Sequence, residues 1–124
     1  MKYTFGFIGT GNMGSALAGA VSAKVGGDKV IVCDKDTARA QTVAKSLGAQ
    51  SGDISTVAAE CKYIFLGVKP QMMADMLSEI SDILKKRQDR FILVTMAAGL
   101  TLDTIAEMAR VNAPIIPHTQ RHYQ

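Results

Sequence analysis

With 124 residues, 48% hydrophobic and 20% charged, the chain has the composition of one folded domain and is long enough to bury a real core. A net charge of +3, with no lysine–arginine cluster interleaved with aromatics, argues against nucleic acid as a partner. No apolar run reaches about 18 residues, which argues against a membrane span, and two isolated cysteines make neither a disulfide framework nor a metal site.

The start, Met1-Lys2-Tyr3-Thr4-Phe5-Gly6, leads directly into an apolar run and leaves no room for a signal peptide, so a cytoplasmic location is expected. Residues 3–8 are predicted as the first strand and 12–25 as the first helix. Met13, Ala16, Leu17, Ala20 and Val21 share one face of that helix at three-and-four spacing. Gly14, Ala18 and Gly19 are small enough to let it lie close on a sheet. Gly26-Gly27-Asp28 is its stop signal.

Between strand and helix, Gly9-Thr10-Gly11-Asn12-Met13-Gly14 spaces three glycines as G-x-G-x-x-G. A lone G-x-G-x-x-G is weak, but here it follows a strand, opens a helix, and precedes the acidic Asp34 by a βα unit. Gly9 then allows the tight turn, Gly11 lets the backbone approach a pyrophosphate, and Gly14 lets the helix pack against the sheet. The unpaired N–H groups and dipole of the helix start would face that anion.

Residues 29–33 are predicted as the second strand, apolar without a break from Val30 to Cys33 as expected of a parallel strand covered on both faces, and it ends at Asp34. Asp36 or Thr37 can cap the next helix, which runs to about Leu47 and stops at Gly48. A weak strand near 49–50 and a short helix near 54–60 follow. Residues 63–66 make the next buried strand, closing on Gly67-Val68-Lys69-Pro70, where Pro70 suits a first helical turn. In that helix Met73, Met76, Leu77, Ile80, Ile83 and Leu84 form an amphipathic stripe, and Lys85-Lys86-Arg87 is expected as a solvated, dipole-matched end. Residues 91–95 are a further strand, followed by the loop Met96-Ala97-Ala98-Gly99, a helix over 102–109 capped by Thr101, and a short strand over 113–116.

Strands alternating with helices predict an α/β domain with a doubly wound parallel sheet, ordered 3-2-1-4-5-6. Ligand is expected across the carboxyl ends where the order reverses. The loops at 9–14, 34–36, 67–70 and 97–99 converge on that crevice.

Three of these stretches carry a resemblance. Phe7-Ile8-Gly9-Thr10-Gly11-Asn12-Met13-Gly14, Phe65-Leu66-Gly67-Val68-Lys69-Pro70-Gln71 and Ala97-Ala98-Gly99-Leu100-Thr101 resemble the amino-terminal half of pyrroline-5-carboxylate reductase, over residues 1–116. The Val-Lys-Pro-Gln segment discriminates best, since hydroxyacid dehydrogenases share the first glycine turn but not usually this loop. The resemblance implies a Rossmann domain of an oxidoreductase in proline biosynthesis, moving hydride from NADH or NADPH to the imine of 1-pyrroline-5-carboxylate. It places Gly9, Thr10, Gly11, Asn12, Met13 and Gly14 at the pyrophosphate, Val68, Lys69 and Pro70 beside the ribose and nicotinamide, and Ala97, Ala98 and Gly99 beneath the ring. It names no catalytic side chain. A hydroxyacid dehydrogenase, a dehydrogenase with a deazaflavin partner, and a non-catalytic coenzyme-binding fragment are the competing readings.

Asp34 at the end of the second strand argues for NAD, because an acid there accepts from the ribose 2′-OH and repels a 2′-phosphate. Lys35 and Arg39 offset that by offering cations to a phosphate, and the balance leans slightly to NAD. Relatives often carry an asparagine by the adenosine where Asp53 stands here. After residue 116 the family's pattern is expected to break off, with its carboxyl-terminal helical domain absent and 117–124 a divergent tail, as in a truncation or frame shift. Such a chain is expected to bind coenzyme, to turn over poorly alone, and to expose an apolar surface suited to a homo-oligomer. His118 and His122 in the tail are read as polar tail residues and not as a metal pair.

Overall fold

Five parallel strands form one sheet in the order β3-β2-β1-β4-β5, comprising β1 (Tyr3–Ile8), β2 (Val30–Cys33), β3 (Gln50–Ser51), β4 (Cys61–Leu66) and β5 (Ile92–Thr95). Four helices connect them: α1 (Asn12–Val25), α2 (Thr37–Leu47), α3 (Ile54–Glu60) and α4 (Pro70–Lys86). The structure, a computed structural model, describes residues 2–95, and the predicted helix at 102–109, the strand at 113–116 and the tail lie outside them. The doubly wound order expected from the sequence is present as 3-2-1-4-5. Among the described residues no helix is long and apolar enough to cross a membrane.

The strands read as near-continuous apolar runs because each inner strand is covered on both faces. One layer packs Ala18 and Val21 of α1 and Ala40 and Ala44 of α2 on Phe5, Phe7, Val30, Val32, Tyr63, Phe65, Ile92 and Val94. The other sets Val57 and Ala58 of α3 and Met76 and Ile80 of α4 against Ile8, Ile31, Cys33, Ile64 and Leu66. Register pairs Phe5 with Tyr63 and Phe7 with Phe65 across β1 and β4. Their rings stack at centroid separations of 5.5 and 4.7 Å, so aromatic contacts add to area burial at the sheet centre.

The α1 face is as expected at Gly14, Ala18 and Val21 and departs from expectation at Ala16. Ala16 is exposed and Leu17 and Ala20 are half-buried, while Gly14, Ala18, Val21 and Ser22 are buried. Small side chains let this helix come down on the sheet along its Gly14–Ala18 line, which leaves Leu17 to pack at the rim. The α4 stripe is as expected: Met76 and Ile80 are buried, with Met73, Leu77, Ile83 and Leu84 packed around them.

Arg87 is a second correction. Its side chain is only 5% exposed and does not sit in solvent with Lys85 and Lys86. The guanidinium pairs with both carboxylate oxygens of Asp89 at 2.8 and 2.7 Å, donates to the carbonyls of Ala58 and Cys61 at 2.9 and 2.6 Å, and lies over Phe91. It thereby satisfies carbonyls at the α3-to-β4 corner that the end of a helix leaves open. Only the tertiary fold brings that corner to the end of α4, so the triplet offered no sign of it.

Arg87→Ala should cost about 2–3 kcal/mol in urea unfolding, because it leaves two inward carbonyls and a carboxylate without their donor. Lys86→Ala is expected to stay within about 0.5 kcal/mol, and equal effects of the two would contradict this assignment.

Candidate functional site

The sheet order reverses on either side of β1, and there the chain makes a sharp glycine turn. Gly9 has φ +105°, and a Cβ built on it would lie 2.7 Å from the carbonyl oxygen of Gly67. Glycine is required on both counts. The Gly9 N–H donates to the Cys33 carbonyl at 2.9 Å and the Gly67 N–H donates to the Ile8 carbonyl at 2.8 Å, tying the carboxyl ends of β1, β2 and β4 together. Gly11 then caps α1 in an extended conformation, exposed, with nothing within 4 Å of where its Cβ would be. No side chain caps α1, so its first N–H groups are left for a ligand or water.

These turns border a cleft of about 520 Å³. Ile8, Gly9 and Gly11 line it from the end of β1, Cys33, Asp34 and Lys35 from β2, and Gly67, Val68 and Lys69 from β4. Three of the four loops expected to converge therefore do so, while Ala97, Ala98 and Gly99 of the fourth lie outside the described residues. Gly52, Asp53 and Ile54 from the end of β3 also line the cleft, as do Thr37 and Arg39 of α2 and Met72, Met76 and Glu79 of α4. The loop after β3 belongs in the crevice by the same carboxyl-end rule that selected the others, but a two-residue strand gave it little weight. Met76 stood out only as part of a core stripe, and Met72 lies beside that stripe without belonging to it.

Asp34 lines the cleft at the end of β2, and its carboxylate also bonds within the protein. Its Oδ2 accepts from both the N–H and the hydroxyl of Thr10 at 2.7 Å each, and its Oδ1 accepts from the Asp36 N–H at 2.9 Å. Partial burial pushes this carboxyl up, but the hydrogen bonds from Thr10 and Asp36 and the charge of Arg39 outweigh it and hold it below its ordinary value of 3.8. Thr10 itself is buried and does not line the cleft. Asn12 and Met13 open α1 and Pro70 opens α4, as expected, and Gly14 is buried under the first turn. Asp36, the first of the two candidates, caps α2 by accepting from the Arg39 N–H at 3.1 Å. Asp53 caps α3, accepting from the Thr56 N–H at 2.8 Å.

Cys33 at the cleft floor is buried, and that burial, with the charges of Asp34, Asp53 and Glu79, pushes its thiol up to about 12. It stays protonated at neutral pH and is not an activated nucleophile. No charge relay is assembled among the described lining residues, which suits a site that holds a reactant and leaves the bond-making to it.

Cradle, topology and cleft define a Rossmann-type domain with a crevice at its switch point. Residues 4–99 match the family described as NADP oxidoreductase, coenzyme F420-dependent, and the chain belongs to that family. Within this setting the likeness expected from the three loops is borne out. The pyrroline-5-carboxylate reductase of Corynebacterium melassecola is 30% identical over 115 residues, covering 91% of this chain and 43% of that protein. That of Escherichia coli (strain K12) is 33% identical over 109 residues, covering 86% and 39%. A crystal structure of Plasmodium falciparum pyrroline carboxylate reductase with NADP bound shares the fold, with a TM-score of 0.59 at 22% identity over 77% of this chain and 34% of that one. The chain spans about two fifths of the length of the curated relatives it matches.

Because the folded-state pKa of Asp34 is depressed, its ionised form contributes stability above its ordinary 3.8, and that contribution fades as pH falls through the lower folded value. Asp34→Asn mimics the protonated state. The stability gap between wild type and Asp34→Asn should be widest near neutrality and shrink below about pH 4 in thermal or urea unfolding; a gap independent of pH would contradict this.

Proposed function

We propose that the chain is the nicotinamide-dinucleotide-binding part of an imine reductase of the pyrroline-5-carboxylate type, and that it takes NADH or NADPH. The observation that carries this reading is the empty space at Gly11, opened by the Gly9 turn at the mouth of the cleft. There the first amides of α1 are without a side-chain cap, and a diphosphate needs that kind of bare main chain together with the positive end of a helix. The residues present fit the coenzyme. Lys35 and Arg39 stand in the cleft beyond β2, where they favour an anionic adenosine end, and Val68 and Lys69 flank the opposite wall.

When bound, a reduced nicotinamide supplies the hydride that adds to the imine carbon, while the electron pair of the C=N bond goes to the protonated nitrogen. The chain's own residues bind, orient and exclude water. Val68, Ile8 and Met72 give the wall its apolar surface. The names of the relatives support the imine substrate. The family is described as coenzyme F420-dependent, and a second reading puts a deazaflavin in the place of the imine. Oxidation of NADPH measured with each acceptor separates the two.

Gly11→Ala is the direct test. Its φ of −67° suits alanine and no atom crowds the added methyl, so stability should stay within about 0.5 kcal/mol of wild type. The methyl intrudes where the diphosphate is placed, so Kd for NADPH in a fluorescence titration should rise about tenfold or more, equivalent to at least 1.4 kcal/mol. Unchanged affinity, or no binding by wild type, would overturn the reading.

A further inference from the structure

We propose that Asp34 is a positioning residue of the coenzyme cradle, acting through Thr10, and not an acceptor for the ribose. The inference rests on the dinucleotide reading above and concerns how that site is held. All three polar groups of Thr10 are committed inside the protein. Its N–H and its hydroxyl both go to Oδ2 of Asp34 at 2.7 Å, and its carbonyl accepts from the Ser15 hydroxyl at 2.7 Å. Thr10 is 3% exposed, so these bonds have little competition from water.

The carboxylate is correspondingly committed for the most part, Oδ2 wholly to Thr10 and Oδ1 in part to Asp36. An ionised carboxylate offers about four lone-pair sites, and Thr10 and Asp36 take three of Asp34's. Charge-assisted bonds of this length are about twice as strong as neutral ones. They reach across 24 residues, from the end of β2 to the middle of the glycine turn. The Gly9 N–H bond to the Cys33 carbonyl runs alongside, so the turn is stapled to β2 at consecutive residues.

The staple sets what the turn presents. It withdraws the Thr10 amide from the anion site and leaves Gly11 and the first amides of α1 as the exposed surface. The diphosphate is common to NADH and NADPH, so losing the staple should weaken both alike. A ribose acceptor, in contrast, would feel the 2′ substituent and change the preference between them.

The test uses the full chain with Asp34→Ala, the near-isosteric Asp34→Asn, Thr10→Val, Thr10→Ser and the Thr10→Val/Asp34→Ala pair. Kd is measured for NADH and for NADPH by fluorescence titration, and exchange of the Thr10 amide is followed by NMR without coenzyme. Asp34→Ala and Thr10→Val should each raise both constants by a similar factor, on the order of tenfold for Asp34→Ala. Their ratio should stay fixed, Thr10→Ser should retain affinity, and the pair should be no worse than Asp34→Ala alone. The Thr10 amide should exchange slowly in wild type and faster in Asp34→Asn, with the Phe7 amide still protected, a readout that remains if Asp34→Ala does not fold. An Asp34 variant that weakens NADH alone or tightens NADPH would overturn the proposal, as would fast exchange at Thr10 in wild type. Binding of neither coenzyme to wild type, with the Thr10 amide protected, would instead sink the dinucleotide reading and leave the staple standing.

Discussion

Everything in this domain depends on one close approach of main chain to main chain, where the Gly9 turn lies against the Gly67 carbonyl. The N–H bonds from Gly9 to Cys33 and from Gly67 to Ile8 bring the carboxyl ends of β2, β1 and β4 to a common level. A side chain at Gly9 would drive β1 and β4 apart at the point where the strand order reverses. The aromatic pairs Phe5–Tyr63 and Phe7–Phe65 pull the same two strands together from within the core. Packing and turn geometry thus agree at every level on where the cleft opens.

The cleft is a site of placement. Its thiol is held protonated by burial, its carboxylates at Asp34 and Asp53 are engaged in hydrogen bonds within the protein, one with the glycine turn and one at a helix start, and Glu79 is exposed. The lining cations Lys35, Arg39 and Lys69 are exposed. Groups disposed in this way can attract and orient an anionic reactant without supplying a nucleophile or base of their own. Such an arrangement is what a coenzyme-dependent oxidoreductase requires, since the coenzyme carries the reactive atoms.

Buried polar bonds also settle the far side of the sheet. Arg87 closes the α3-to-β4 corner, where Ala58 and Cys61 would otherwise leave carbonyls facing the protein. A short helix such as α3 has little stability of its own, so its docking rests on Val57 and Ala58 in the core and on this guanidinium. Because Asp53 at the start of α3 lines the cleft, the same docking fixes one wall of the site.

The local elements were legible in the amino-acid sequence because short-range physics writes them there. Apolar runs marked the strands, Gly26 and Gly48 the helix ends, Pro70 the start of α4, and the spacing of Gly9, Gly11 and Gly14 the cradle. Strand order followed from the handedness of crossovers. What only the tertiary structure decided were contacts between residues far apart in the chain: Asp34 with Thr10, and Arg87 with Ala58 and Cys61. An aspartate at a strand end or an arginine at a helix end is compatible with several partners. Which one it takes depends on where distant backbone groups are left unsatisfied, and no local pattern records that.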